Sequence, residues 1–121
     1  MAAVTSISVL INSDSAANAL SASIYLQQYF IKTQVSLDWS STIELIKSDS
    51  CKILLIDRSN GLENMANLAL EARKIANHPL ILISPNKDQI SRVEEYRICT
   101  VECFLKPVSG RALLKCIRQL A

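Results

Sequence analysis

The sequence predicts an α/β protein, a three-layer, doubly wound sheet of five parallel strands in the order 2-1-3-4-5. Three observations carry that prediction. Short apolar runs alternate along the chain with longer segments whose apolar residues recur at helical spacing. The central runs are apolar nearly throughout rather than at every second residue, as in strands covered on both faces. Three of those runs end in a polar group: Asp57 after Ile53-Leu54-Leu55-Ile56, Ser84 after Leu80-Ile81-Leu82-Ile83, and Lys106-Pro107 after Phe104-Leu105. The carboxyl edge of such a sheet is where ligands bind.

The elements follow in order. Ser6 to Ile11 reads as the first strand, and Asn12-Ser13-Asp14-Ser15 can turn the chain and cap a helix. From Ala16 to about Ile31, Leu20, Ile24 and Leu26 join Ala16, Ala17 and Ala19 in a helical apolar face. Gln34 to Leu37 is a short second strand. Ser40 or Ser41 caps a brief helix through Lys47, with Glu44 in capping-box register to Ser41. Lys52 to Asp57 is the third strand, followed by the polar turn Arg58-Ser59-Asn60-Gly61. Leu62 to Asn77 is an amphipathic helix with Met65, Leu68, Ala69, Ala72, Ile75 and Ala76 inward. Pro79 starts the fourth strand, Lys87 to Ile98 is a more polar helix, and Val101 to Leu105 is the fifth strand. The last helix runs from Ser109 to Leu120 on Leu113, Leu114, Ile117 and Leu120.

No repeat, low-complexity tract or Pro/Gly-rich linker interrupts the 121 residues, so 1–121 reads as a single domain. Half the residues are apolar, enough for a core without staples. The net charge is +2 with scattered basic residues, which argues against a nucleic-acid surface and a polybasic membrane anchor. No apolar run approaches the roughly 20 residues of a membrane helix. Met1 to Ser6 carries no positive charge and does not read as a signal peptide. Cys51, Cys99, Cys103 and Cys116 form no C-x-x-C pair, and the one histidine, His78, precedes Pro79. Structural zinc favours close ligand pairs, so the cysteines read as inert packing residues, in keeping with a reducing, cytoplasmic location.

Alone, Asp57 would be a strand-end turn residue, Ser84 a turn serine and Lys106 a surface lysine. Together, on strands the predicted order sets side by side, they form a carboxylate, a hydroxyl and a cation over one crevice. A carboxylate attacks phosphorus without needing deprotonation at neutral pH, and the oxygens it gains need donors. Lys106 supplies an ammonium and Ser84 a hydroxyl.

Over essentially its whole length this pattern resembles the receiver domain of two-component response regulators. The resemblance implies a flavodoxin-like receiver fold and a phosphorelay role. Asp57 is then the phosphoacceptor, Ser84 the hydroxyl switch residue and Lys106 the phosphate-binding lysine. It implies a histidine kinase or phosphotransfer protein as partner, and a possible homodimer through the fourth helix, fifth strand and fifth helix. That region includes the mixed-charge run Arg92, Glu94, Glu95, Tyr96 and Arg97, which also fits a plain solvated face.

Departures from the pattern are equally specific. Receivers place two acidic residues after the first strand, where they hold Mg²⁺ with the phosphoacceptor. Here Asn12 and Ser13 stand in those places. Asp14 is left either to join Asp57 at the metal or to cap the first helix, and capping is preferred. A weakened Mg²⁺ site and slow transfer are expected, since a hard cation wants anionic oxygens. Cys103 replaces the Tyr or Phe usual three residues before the lysine, and Phe104 falls on the other strand face. The turn after Asp57 lacks the usual Pro-Gly stretch.

Two further readings stand beside the phosphoacceptor. One is a pseudo-receiver that works by docking, without phosphorylation, for instance within a hybrid sensor kinase. The other is a small flavodoxin-like ligand-binding domain, which the glycine-free Asn12–Ala16 loop disfavours. No nucleophile–base pair is visible, so an enzyme is not expected.

Overall fold

Unbroken apolar character puts three strands at the centre of the sheet: β1 (Ser8–Ser13), β3 (Ile53–Asp57) and β4 (Leu80–Ser84). Every residue of β3 and β4 is buried, as is all of β1 beyond Ser8. In this computed structural model, which describes residues 7–48, 53–58, 65–95 and 101–120, the flanking strands are β2 (Lys32–Ser36) and β5 (Val101–Leu105). All pairings are parallel and the order is β2-β1-β3-β4-β5. The helices are α1 (Ala16–Gln27), α2 (Trp39–Lys47), α3 (Met65–Ile75), α4 (Lys87–Glu95) and α5 (Gly110–Leu120). The expected strand starts at Ser6 and Lys52 lie outside the described residues. So do Leu62 to Asn64, Tyr96 to Ile98, the turn residues Ser59 to Gly61, and Cys51 and Cys99.

Strand alternation sorts the core into two layers. Val9, Ile11, Ile53, Leu55, Ile81 and Ile83 pack with α1 and α5. Leu10, Leu54, Ile56, Leu80 and Leu82 pack with α2, α3 and α4, against Ile46, Met65, Ala69 and Val93. The inward faces read for α3 and α5 hold: Met65, Ala69, Ala72, Leu113, Leu114 and Ile117 are buried. Among the described residues no helix is long and apolar enough to cross a membrane.

The phase of α1 differs from the expected one. Ala19, Ser23 and Leu26 face the sheet, whereas Leu20 and Ile24 are 54% and 60% exposed. Small side chains let the helix lie close on the sheet, and Ser23 satisfies its hydroxyl with Thr33 at 2.6 Å. The helix is also shorter than expected. It ends where Phe30 takes φ 64°, with the Phe30 N–H donating to Gln27 O (3.1 Å) and the Ile31 N–H to Leu26 O (3.3 Å). That is a Schellman ending, with Leu26 and Ile31 buried together and phenylalanine where glycine is usual. Phe30 is 93% exposed, so its ring contributes almost nothing to packing. Left-handed strain of about 1–2 kcal/mol is partly offset in Phe30→Gly by glycine's looser unfolded chain. The net expectation is a gain of about 1 kcal/mol, read as a melting temperature about 4 °C higher.

Two further boundaries move. The second strand begins at Lys32 rather than Gln34, because Ser8 pairs with Lys32 and carries the register forward from there. Asp38, not Ser40 or Ser41, caps α2. Its carboxylate accepts from the Ser41 N–H (3.1 Å) and from both serine hydroxyls (2.9 Å each). An anion outcompetes a hydroxyl for a helix N-terminus, and these bonds, led by that from the Ser41 hydroxyl, hold the Asp38 carboxyl below its usual value.

Candidate functional site

Register brings the strand ends together. Ser13 of β1 lies opposite Asp57 of β3, and Asp57 lies opposite Ile83 of β4. Ser84 pairs with Leu105, and the Lys106 N–H donates to Ser84 O at 2.9 Å, fixing where β5 ends. From there the Lys106 side chain reaches across the end of β4, and its Nζ stands 2.7 Å from Asp57 Oδ1. The contact is a close ion pair rather than an aligned hydrogen bond. Both side chains are mostly buried, 13% exposed for Asp57 and 22% for Lys106, so solvent screens the pair only in part. The Lys106-Pro107 peptide bond is cis.

Ser84 reaches the same edge, fully buried, but among the described residues it makes no hydrogen bond to Asp57. Its Oγ accepts the Asn86 N–H at 3.0 Å, which leaves its own hydrogen to donate. A cleft of about 420 Å³ opens beside Asp57 and Lys106, between α1 and α5. Asn18 and Tyr25 line one side of it, Ser109 and Gly110 the other. A Cβ at Gly110 would stand 2.9 Å from the Tyr25 ring, so the close approach of the two helices depends on glycine. A larger cleft, of about 630 Å³, lies at the opposite edge of the sheet beside Ser8 and Lys32, remote from these groups.

Asp14 is exposed, and Ser15 rather than Asp14 caps α1, accepting the Asn18 N–H at 3.3 Å. The preferred capping role for Asp14 is therefore corrected. A hydroxyl one residue nearer the helix has the shorter reach. Among the described residues no group of three His, Cys, Asp or Glu side chains is placed to hold a metal ion.

One participant escaped the sequence reading. Arg58, which the sequence puts at the start of a polar turn, is only 4% exposed. Its backbone N–H donates to Ile83 O (3.0 Å), which extends the β3 pairing one residue past Asp57. Alternation then sends its side chain to the opposite face from Asp57, where Nη2 donates to Asn12 Oδ1 at 2.7 Å. Asn12 Nδ2 donates to Thr42 Oγ1 (2.8 Å) and Ser36 O (3.3 Å), and the Thr42 hydroxyl donates to Asp38 O (3.0 Å). The sequence holds only an indirect sign of it, an arginine directly after a buried strand and an uncharged amide near the end of the first.

Solved structures with this architecture span nearly the whole chain. The chemotaxis protein CheY4 of Vibrio cholerae superposes with a TM-score of 0.80 at 14% identity, over 97% of this chain and 100% of that one. A CheY-like response regulator receiver domain protein from Methanospirillum hungatei JF-1 gives 0.80 at 18% identity, over 95% and 93%. A response regulator receiver protein from Sinorhizobium medicae WSM419 gives 0.78 at 20% identity, over 95% and 94%. This chain has the receiver-domain fold. No protein-family model and no curated protein matches its sequence.

Cys103 and Phe104 turn to opposite faces of β5, as strand alternation predicts. Phe104 packs toward α1 and α5, and Cys103 toward the α2–α4 layer. Burial, then Glu94 and Glu102, push the Cys103 thiol up to about 11. Burial also raises Cys116. At pH 8 roughly one Cys103 in a thousand is thiolate. Alkylation of the native protein at that pH, read peptide by peptide, should spare Cys103 and Cys116 and modify both in denaturant. On α4, Arg92 and Glu94 are exposed, while Tyr96 and Arg97 lie outside the described residues.

Proposed function

We propose that this domain is a receiver-like signalling module that accepts a phosphoryl group on Asp57 from a partner's phosphohistidine. The observation that carries the reading is the 2.7 Å approach of Lys106 to Asp57 across an intervening strand. A carboxylate oxygen attacks phosphorus, the bond from phosphorus to the partner's imidazole nitrogen breaks, and the imidazole leaves with the electron pair. Lys106 then faces an acyl phosphate with more negative charge than the carboxylate it replaced, so the ion pair strengthens as the bond forms. Ser84 has a hydroxyl hydrogen to turn toward a phosphoryl oxygen. The cleft between α1 and α5 gives the donor a way in. The domain acts as acceptor, and the partner kinase or phosphotransfer protein supplies the phosphohistidine.

The uncharged Asn12 and Ser13 favour a second reading, a pseudo-receiver that works by docking alone. Incubation with a low-molecular-weight phosphodonor separates the two. Phosphoacceptance predicts a single hydroxylamine-labile adduct on Asp57, seen by mass spectrometry and absent in Asp57→Asn. An unmodified wild type under donor excess supports docking without phosphorylation.

A further inference from the structure

The receiver fold implies a divalent cation beside the phosphoacceptor, and the donors here do not fit one. Asn12 carries no charge, and its Oδ1 already accepts the Arg58 guanidinium at 2.7 Å. Ser13 is buried with its Oγ accepting the Ser15 N–H at 3.1 Å. Asp14 is exposed. Asp57 supplies one carboxylate, and Lys106 stands against it. Among the described residues, a hard dication beside Asp57 would find one buried carboxylate, already faced by the Lys106 ammonium, and an amide and a hydroxyl where it needs anionic oxygens.

The amide at position 12 is matched to its surroundings. Thr42 spends its hydroxyl hydrogen on Asp38 O, so toward Asn12 it presents a lone pair. Ser36 presents a carbonyl oxygen. Both require a donor, which an Asn NH₂ provides and an ionised Asp cannot. With Nδ2 so committed, Oδ1 is left facing Arg58. The network therefore selects asparagine for one reason and arginine for the complementary one.

We propose that the Asn12–Arg58 amide–guanidinium pair stands where a divalent cation would need acidic ligands, so that the Asp57 site excludes the metal and relies on the Lys106 ammonium for its positive charge. The consequence for chemistry rests on the phosphoacceptor reading. With acetyl phosphate as donor, an Asp57 oxygen attacks phosphorus, the phosphorus–oxygen bond to acetate breaks, and acetate departs with the electron pair, without a metal. Charge on the adduct is then met by the Lys106 ammonium in a largely buried, weakly screening site.

Metal binding is testable without any phosphorylation. Wild-type protein titrated with Mg²⁺, then with trace Mn²⁺, should show no saturable NMR shift and no selective broadening at Asn12, Ser13, Asp57 and Arg58. The triple variant Asn12→Asp, Ser13→Asp, Arg58→Met should gain a saturable site, roughly tenfold or more tighter for Mn²⁺. A saturable Mg²⁺ site in the wild type overturns the proposal, and so does a folded triple variant that gains none. If the triple variant fails to fold, the wild-type titration alone decides. Acetyl phosphate labelling adds a second arm: equal adduct in Mg²⁺ and in EDTA supports the proposal, and adduct in Mg²⁺ alone overturns it. Adduct in neither sinks the phosphoacceptor reading, and the metal titration still decides the role of Arg58.

Discussion

Asn12→Leu will be among the most damaging single substitutions in this domain, although it exchanges one buried side chain for another of similar size. Three hydrogen bonds vanish together: from Arg58, to Thr42 and to Ser36 O. Arg58, only 4% exposed, then loses its amide acceptor. Losing a hydrogen bond to a buried charged group, together with those to Thr42 and Ser36, costs about 3 kcal/mol. Chemical denaturation should show that loss directly, and the melting temperature should fall by about 10 °C. Thr42→Val is the comparison. It removes one hydroxyl and keeps the shape, the Asn12 bond to Arg58 survives, and a loss of about 1 kcal/mol is expected. Equal losses in the two variants would mean that Arg58 gains little from Asn12.

Lys106→Met gives the largest expected effect on function. The substitution keeps length and apolar stem but leaves the Asp57 carboxylate without its ion-pair partner. If Asp57 accepts phosphoryl groups, the developing charge loses the one cation in direct contact, and adduct formation should slow by about 100-fold. Lys106→Arg keeps the charge but replaces a compact ammonium by a planar fork, and should recover only part of the rate. Time courses of phosphoryl incorporation read both variants, with circular dichroism to establish that each is folded. A rate unchanged in Lys106→Met would remove Lys106 from the chemistry.

How much of this could be read beforehand depended on which force set each feature. The sheet order and the meeting of Asp57 with Lys106 were legible because β3 and β4 must be apolar throughout to lie between two helical layers. The phase of α1 was misread because Leu20 and Ile24 outweigh Ala19 and Ser23 in hydrophobicity, while close helix–sheet packing rewards small side chains. The α2 cap was misplaced because the capping-box spacing of Ser41 and Glu44 hid a better acceptor upstream. Arg58 was missed for a different reason. A turn arginine is ordinarily solvated, and only a contact spanning 46 positions to Asn12 shows this one to be interior.

The amide–guanidinium lock at positions 12 and 58 also constrains descent. An acid at 12 alone would set a carboxylate against the Ser36 carbonyl and a hydroxyl lone pair. Losing the arginine alone would leave the amide oxygen unanswered. Neither half-step is neutral, so the two positions should change together, Asn with Arg, wherever this network is kept.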